Sequence, residues 1–319
     1  MTAQQGYIAA CKRPGELGAH SLHLCHMSVP DLKVAQHFYS AFGLDVREEG
    51  NHLGLYTDGS PHKWVSIAEG PRKKFGFYSF AFFEEDFAPF AQRLQQLGIK
   101  RLDPPKGFDD SGSIWFQDPD GNYVEARVAE KTSPTQKSQC DFVSSPAGVR
   151  GAPYRRDTAL TRPRRLSHSL LFTPDVLRAV EFYSRVLGLR LSDRSDDIIA
   201  FMHGIHGSDH HMIAFAKSSA PGHHHYSWDV GSVMEIGLGA MNMLDKGYDR
   251  GWGLGRHVLG SNYFHYVRDP WGSYSEYSAD IDFVPHDCDW DSGNHPAADS
   301  LYVWGPNLPD DFIQNFEID

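Results

Sequence analysis

Apolar residues along this chain fall into short runs whose spacing switches between strand-like and helix-like, and the switching repeats. From Leu24 the sequence reads L-C-H-M-S-V-P-D-L-K-V-A-Q-H-F-Y-S-A-F-G-L, and from His168 it reads H-S-L-L-F-T-P-D-V-L-R-A-V-E-F-Y-S-R-V-L-G-L. Pro30 and Pro174 share an offset of 144 residues with Phe38 and Phe182. Each segment predicts a strand, a turn at Pro-Asp, and a helix that stops at Gly. Asp31 and Asp175 are expected to cap the helix starts, and Gly43 and Gly188 to end them.

A second pair of segments matches at an offset of 151: Phe116 to Glu125 against Val267 to Glu276. Both contain D-P-x-G, a tight turn between two strands, so each predicts a hairpin in which Asp118 and Asp269 are turn residues. Phe77-Tyr78-Ser79-Phe80 and His225-Tyr226-Ser227-Trp228 each open a further strand that leads into a helix. The pattern predicts an α+β chain of two similar halves. Each half holds two strand–helix–strand–strand–strand (βαβββ) modules, near residues 20–70, 74–130, 165–218 and 222–284. Residues 131–160, rich in Ser, Pro, Gln, Arg and Thr, read as the connection. The expected division is an N-terminal domain over 1–145, a second domain over 146–285, and a tail over 286–319 that packs on the second domain.

Composition narrows the function. The chain has 319 residues, 40% hydrophobic and 22% charged, with a formal net charge of −11. An acidic surface argues against nucleic acid or anionic membrane as partner. The four cysteines, Cys11, Cys25, Cys140 and Cys288, form no C-x-x-C pair, so neither a disulfide framework nor a zinc-thiolate site is expected. With no signal-like apolar run at the start and no run of about 18 apolar residues, a cytoplasmic protein is expected. Eighteen histidines are present, ten of them between His203 and His286. Histidine is the commonest transition-metal ligand, so the second half is where chemistry is expected.

The paired-module layout resembles the vicinal oxygen chelate superfamily, which includes glyoxalase I, bleomycin-binding proteins and the type I extradiol ring-cleaving dioxygenases. The resemblance implies that paired modules close into an open mixed-sheet barrel around one metal. Its ligand positions fall on His168, His225 and Glu276. Two imidazoles and one carboxylate would hold one face of Fe(II), or of Mn(II), and leave the other face for a catechol and O2. The repeat offsets carry these three positions onto Leu24, Phe77 and Glu125, so the first half is expected to hold no metal. Singly, each residue has an ordinary alternative: His168 as a core histidine, His223-His224-His225 as a polar loop, Glu276 as a surface acid. Together, at repeat-equivalent positions, they favour a metal site.

The run from Gly255 to Tyr266 resembles the extradiol signature, with Tyr266 nine residues after His257 and Glu276 ten after Tyr266. The resemblance implies that His257 and Tyr266 are pocket residues that bind substrate and assist catalysis. It assigns acid–base chemistry to His211, with His210 as the fallback. Trp252 stands where family members that take acidic catechols carry an arginine, and Gly260 where biphenyl-diol enzymes carry an acid. Trp252 is therefore expected to help shape a flatter, more apolar substrate pocket. His203 and His206 either line the pocket or face water, and His265 is expected to point away from the metal. The implied function is extradiol cleavage of a catechol in aromatic catabolism, by a homo-oligomer. A glyoxalase-type isomerase or thiol transferase, or a ligand-sequestering protein of the same fold, remains the alternative.

Overall fold

The computed structural model describes residues 10–109, 112–142 and 144–318. The first module is β1 (Ser21–Val29), α1 (Leu32–Phe42), β2 (Asp45–Glu49), β3 (His52–Tyr56) and β4 (Lys63–Glu69). The second is β5 (Lys74–Phe82), α2 (Glu84–Gln96), β6 (Ile114–Gln117) and β7 (Tyr123–Val128). The third is β8 (Arg165–Thr173), α3 (Val176–Leu187), β9 (Arg190–Ser195), β10 (Ile199–His203), the short β11 (Ser208–Asp209) and β12 (Ile213–Lys217). The fourth is β13 (Gly222–Asp229), α4 (Val233–Asp245), β14 (Gly251–His257), β15 (Tyr263–Arg268) and β16 (Tyr274–Ala279). The remainder carries β17 (Phe283–Val284), β18 (Gly293–Asn294), α5 (Ala297–Ser300) and β19 (Tyr302–Trp304).

The expected helix ends are present. The Asp31 carboxylate accepts from the Lys33 and Val34 amides, and that of Asp175 from the Arg178 amide. Gly43 and Gly188 end α1 and α3 at φ 103° and 73°, a left-handed conformation that glycine adopts without a Cβ penalty.

One expected strand is reduced to a trace. Between α2 and β6 the described residues make only a single bridge, Leu102 opposite Trp115. Pro104 and Pro105 follow at once, and a proline has no N–H to give a ladder.

The two sheets repeat one topology. The seven-stranded sheet runs β2-β3-β4-β1-β5-β7-β6, and the ten-stranded sheet runs β18-β9-β10-β12-β8-β13-β16-β15-β14-β19. The pairs β1 with β4, β5 with β7, β12 with β8, and β13 with β16 are parallel, whereas the hairpins are antiparallel, so both sheets are mixed. Register makes the halves equivalent: His26 lies opposite Phe77 as Leu170 lies opposite His225, and Ser79 opposite Glu125 as Ser227 opposite Glu276. The second sheet has three further strands: β14, the counterpart of the strand reduced to a bridge after α2, and one strand from the C-terminal segment at each edge, β18 beside β9 and β19 beside β14.

One buried cluster runs through both halves. Phe42 stacks on Tyr277 with ring centroids 3.8 Å apart, and the Tyr277 hydroxyl donates to the Phe42 carbonyl at 2.8 Å. Burying aromatic rings of this size contributes about 2 kcal/mol or more each. Tyr78 of β5 donates to Ser169 Oγ at 2.7 Å, and that hydroxyl donates to the His225 carbonyl at 3.1 Å. The first half thus braces the strand that carries His225.

Candidate metal centre

His168 comes from β8, His225 from β13 and Glu276 from β16, three neighbouring strands of the second sheet. All three side chains are buried. His168 Nε2 lies 3.2 Å and His225 Nε2 3.6 Å from Glu276 Oε2, and one ligand atom from each residue falls within 4.8 Å of the others. No other such group of His, Cys, Asp or Glu occurs among the described residues.

The surrounding hydrogen bonds decide which nitrogens carry protons. His224 Nε2–H donates to the Phe312 carbonyl at 2.8 Å, and burial pushes His224 down to about 4, so it is neutral. Its Nδ1 is then an acceptor, filled by His225 Nδ1–H at 2.7 Å. His225 Nε2 is left bare. His168 follows the same logic. The Ser167 hydroxyl donates to Asp209 Oδ2 at 2.9 Å and so accepts His168 Nδ1–H at 3.2 Å, again leaving Nε2 bare. Asp209 is in turn held by Arg165 at 2.6 and 3.0 Å.

Two bare imidazole nitrogens therefore face one carboxylate oxygen with no proton to share between them. His225 Nε2 and Glu276 Oε2 are both buried without a hydrogen-bond partner. Unpaired buried acceptors are costly, and a divalent cation satisfies them all. Burial, then the neighbouring His224 and His168, holds His225 well below the ordinary histidine range, in the neutral form that a metal requires. The residues fit a two-histidine, one-carboxylate metal site.

Two further residues expected in the pocket stand beside it. The Tyr266 hydroxyl is 3.0 Å from His257 Nε2, and His257 Nδ1–H donates to the Leu301 carbonyl at 2.8 Å. His257 Nε2 is thus the acceptor and Tyr266 the donor. His257 Nε2 lies 3.9 Å from Glu276 Oε1, which accepts from Asn262 Nδ2 at 3.1 Å. The His211 ring packs 4.0 Å, centroid to centroid, from that of His168. Burial, then His168, pushes it well below its ordinary value.

Trp252 is buried behind these residues, its ring 5.8 Å from those of Tyr266 and His257 and 4.9 Å from Phe312. Its indole N–H donates to the Pro306 carbonyl at 2.9 Å. His203 and His206 are buried and make no ring contact with the three clustered side chains: His203 bonds Ser192 at 2.7 Å, and His206 accepts the Arg13 amide at 3.1 Å. His265 packs over Gly253 on the far side of β15. In the first half, a cavity of about 250 Å³ opens beside Glu49, His52, Lys63, Ser66 and Phe108, with Lys63 and Glu49 paired at 2.7 Å.

Sequence reasoning weighed His224 only as a member of the 223–225 run, behind His225, and did not single out Asn262, Ser167, Asp209 or Asp193. Asn262 lies inside the quoted Gly255–Tyr266 run. Ser167 is the chain neighbour of His168, whereas Asp209 and Asp193 act through partners that only the fold brings close.

Residues 21–126 and 165–277, which hold the paired modules of the two halves, match the family described as the Glyoxalase/Bleomycin resistance protein/Dioxygenase superfamily. Metapyrocatechase 2 of Cupriavidus necator is 50% identical over 315 residues, covering 99% of this chain and 98% of that protein. This chain is a type I extradiol dioxygenase of that superfamily. The dioxygenase fold is shared with the Mn(II)-bound glyoxalase of Novosphingobium aromaticivorans (TM-score 0.73, 24% identity, 92% of this chain and 94% of that one). It is shared equally with a variant of homoprotocatechuate 2,3-dioxygenase from Brevibacterium fuscum (TM-score 0.72, 20% identity, 94% and 83%). At those identities the likeness is one of fold alone.

Proposed function

We propose that this dioxygenase opens a catechol ring beside its two hydroxyls, placing both atoms of O2 in the product. The metal is Fe(II), with Mn(II) as the alternative ion, held by His168, His225 and Glu276. The observation that carries the reading is the pair of bare, buried acceptors, His225 Nε2 and Glu276 Oε2, facing His168 Nε2. The ion, when bound, supplies adjacent open positions and a positive charge that favours the deprotonated catechol.

The chain's own groups do the rest. His211 would take a proton from a catechol hydroxyl on Nε2 and return it to an O2-derived oxygen as the O–O bond breaks, with both oxygens kept in the product, a task worth about 10²–10⁴ in rate. Tyr266 and His257 stand beside the oxygens of the substrate; with its proton given to His257 Nε2, the Tyr266 hydroxyl accepts from a catechol hydroxyl. Trp252, Phe264 and Phe312 form the apolar wall behind Tyr266 and exclude water. With Trp252 where an arginine would meet a carboxylate, the substrate is an uncharged catechol, plain or alkyl-substituted. Half-identity to metapyrocatechase 2 along nearly the whole chain supports the same class.

We place the enzyme in the cytoplasm as a homo-oligomer, with domains over 1–145 and 146–285 and a tail over 286–319. Among the described residues no helix is long and apolar enough to cross a membrane. The test is anaerobic purification, metal assay, and O2 uptake with plain, alkyl, aryl and carboxylated catechols. The expected result is O2 consumption with a yellow ring-opened product, abolished in His225→Ala. Bound metal without O2 uptake on any catechol would instead favour an isomerase of the glyoxalase type.

A further inference from the structure

Asp193 receives four donors, and three of them come from the C-terminal segment. Its Oδ1 accepts from His295 Nε2 at 2.7 Å and the Gly293 amide at 2.9 Å. Its Oδ2 accepts from His210 Nε2 at 2.9 Å and the Trp290 indole N–H at 3.3 Å. Burial alone would raise this carboxyl, yet the bonds from His210, His295 and Gly293 hold it down to about 2. On the other side of His210, Nδ1 lies 3.0 Å from His211 Nδ1. Gly260, at φ 90°, packs flat on both rings: a Cβ there would fall 3.3 Å from His211 Cε1 and 3.5 Å from His210 Nδ1.

The proton positions follow from the acceptor at the end of this chain of bonds. An ionised carboxylate can only accept, so His210 gives it the Nε2 proton. An imidazole that carries its one proton on Nε2 accepts at Nδ1, and His211 fills that position with its own Nδ1–H. His211 Nε2 is left bare on a ring packed against His168. We infer that Asp193 is a positioning residue: through His210 it fixes His211 in the tautomer that can take a proton on Nε2, and Trp290, Gly293 and His295 of the C-terminal segment hold it in that role. The inference rests on His211 as the proton-transferring group proposed above and deepens it. When Nε2 takes its proton, Nδ1–H stays bonded to His210, and the Asp193 charge offsets the new cation.

The experiment uses the metal-loaded enzyme. Asp193→Asn replaces an obligate acceptor with an amide that can donate, which turns the His210 proton round and moves the His211 proton to Nε2. The expected result is a fall in kcat of about 10² or more. Metal content, and catechol affinity measured without O2, should stay at wild-type values. In a His211→Ala background the same substitution should cost nothing further.

Equal losses in both backgrounds would mark Asp193 as merely structural and overturn the inference, as would an unchanged kcat. If Asp193→Asn does not fold, the wild-type chain decides. Histidine nitrogen-15 NMR of the zinc-loaded protein should find the Nδ1–H tautomer at His211, and Nε2–H there would refute the relay. A fast Asp193→Asn enzyme beside a slow His211→Ala enzyme sinks the relay alone. A fast His211→Ala enzyme sinks the reading of His211 itself.

Discussion

The Nδ1 atoms of His224 and His225 stand 2.7 Å apart, and the outer nitrogen of His224 is tied to the Phe312 carbonyl. His224 therefore aims and prepares its neighbour without sharing in the His168–His225–Glu276 cluster. His224→Phe keeps the bulk but strands the His225 Nδ1–H. Metal affinity should fall about 10–100-fold, as for other outer partners of metal-bound histidines. Competition with a chelator would measure it, and an affinity equal to wild type would show that His225 needs no such partner.

His211→Ala should slow turnover by about 10²–10⁴ while metal content stays normal. Steady-state rates beside metal analysis separate the two effects. Loss of metal in this variant would move His211 from proton transfer to ligation.

Trp252 joins Tyr266 to the C-terminal segment through its ring contacts and its bond to Pro306. Trp252→Ala leaves a void behind Tyr266 and should cost about 3–5 kcal/mol of stability in urea unfolding. The KM for alkylcatechols should rise with it, because the Tyr266 hydroxyl loses its backing. A KM that stays put would mean the wall is set by Phe264 and Phe312 alone.

Acid should unfold the protein well before its carboxylates titrate. Burial pushes His20, His23 and His203 down to about 3 and His26 to about 4. An unfolded chain protonates these imidazoles near pH 6.5, whereas the folded chain keeps them neutral. Their stabilising contribution is whole above the unfolded value and is lost as the pH falls from there through the folded values. Each group contributes about 1.4 kcal/mol per pH unit over that window. Urea midpoints should drop steeply between about pH 7 and about pH 5, and level midpoints would contradict the burial of these rings in neutral form.

The repeat made most of the architecture legible beforehand. A Pro-Asp turn, a capped helix and a D-P-x-G hairpin are local devices, and they recur in both halves where the offsets put them. The missing strand after α2 was legible too late: Pro104 and Pro105 announce it, but the repeat argued the other way. His168, His225 and Glu276 could be named because the resemblance to the vicinal oxygen chelate superfamily assigns ligands to those strand positions; the repeat added that the equivalent positions of the first half, Leu24, Phe77 and Glu125, lack the two histidines. Asp193 and Asp209 could not, since each acts through a residue brought close only by strand register or by the C-terminal segment. Trp290 and His295 lie in a stretch without periodicity, so nothing local pointed them at β9.

Tyr78 belongs to the half without the metal cluster, yet its hydroxyl reaches Ser169 and, through it, the backbone of His225. The half that holds none of the three clustered side chains thus braces the strand of the half that does, so a change of shape at Tyr78 reaches the cluster through Ser169. In a saturation-mutagenesis survey scored by growth on an aromatic carbon source, Tyr78 would behave as an active-site position.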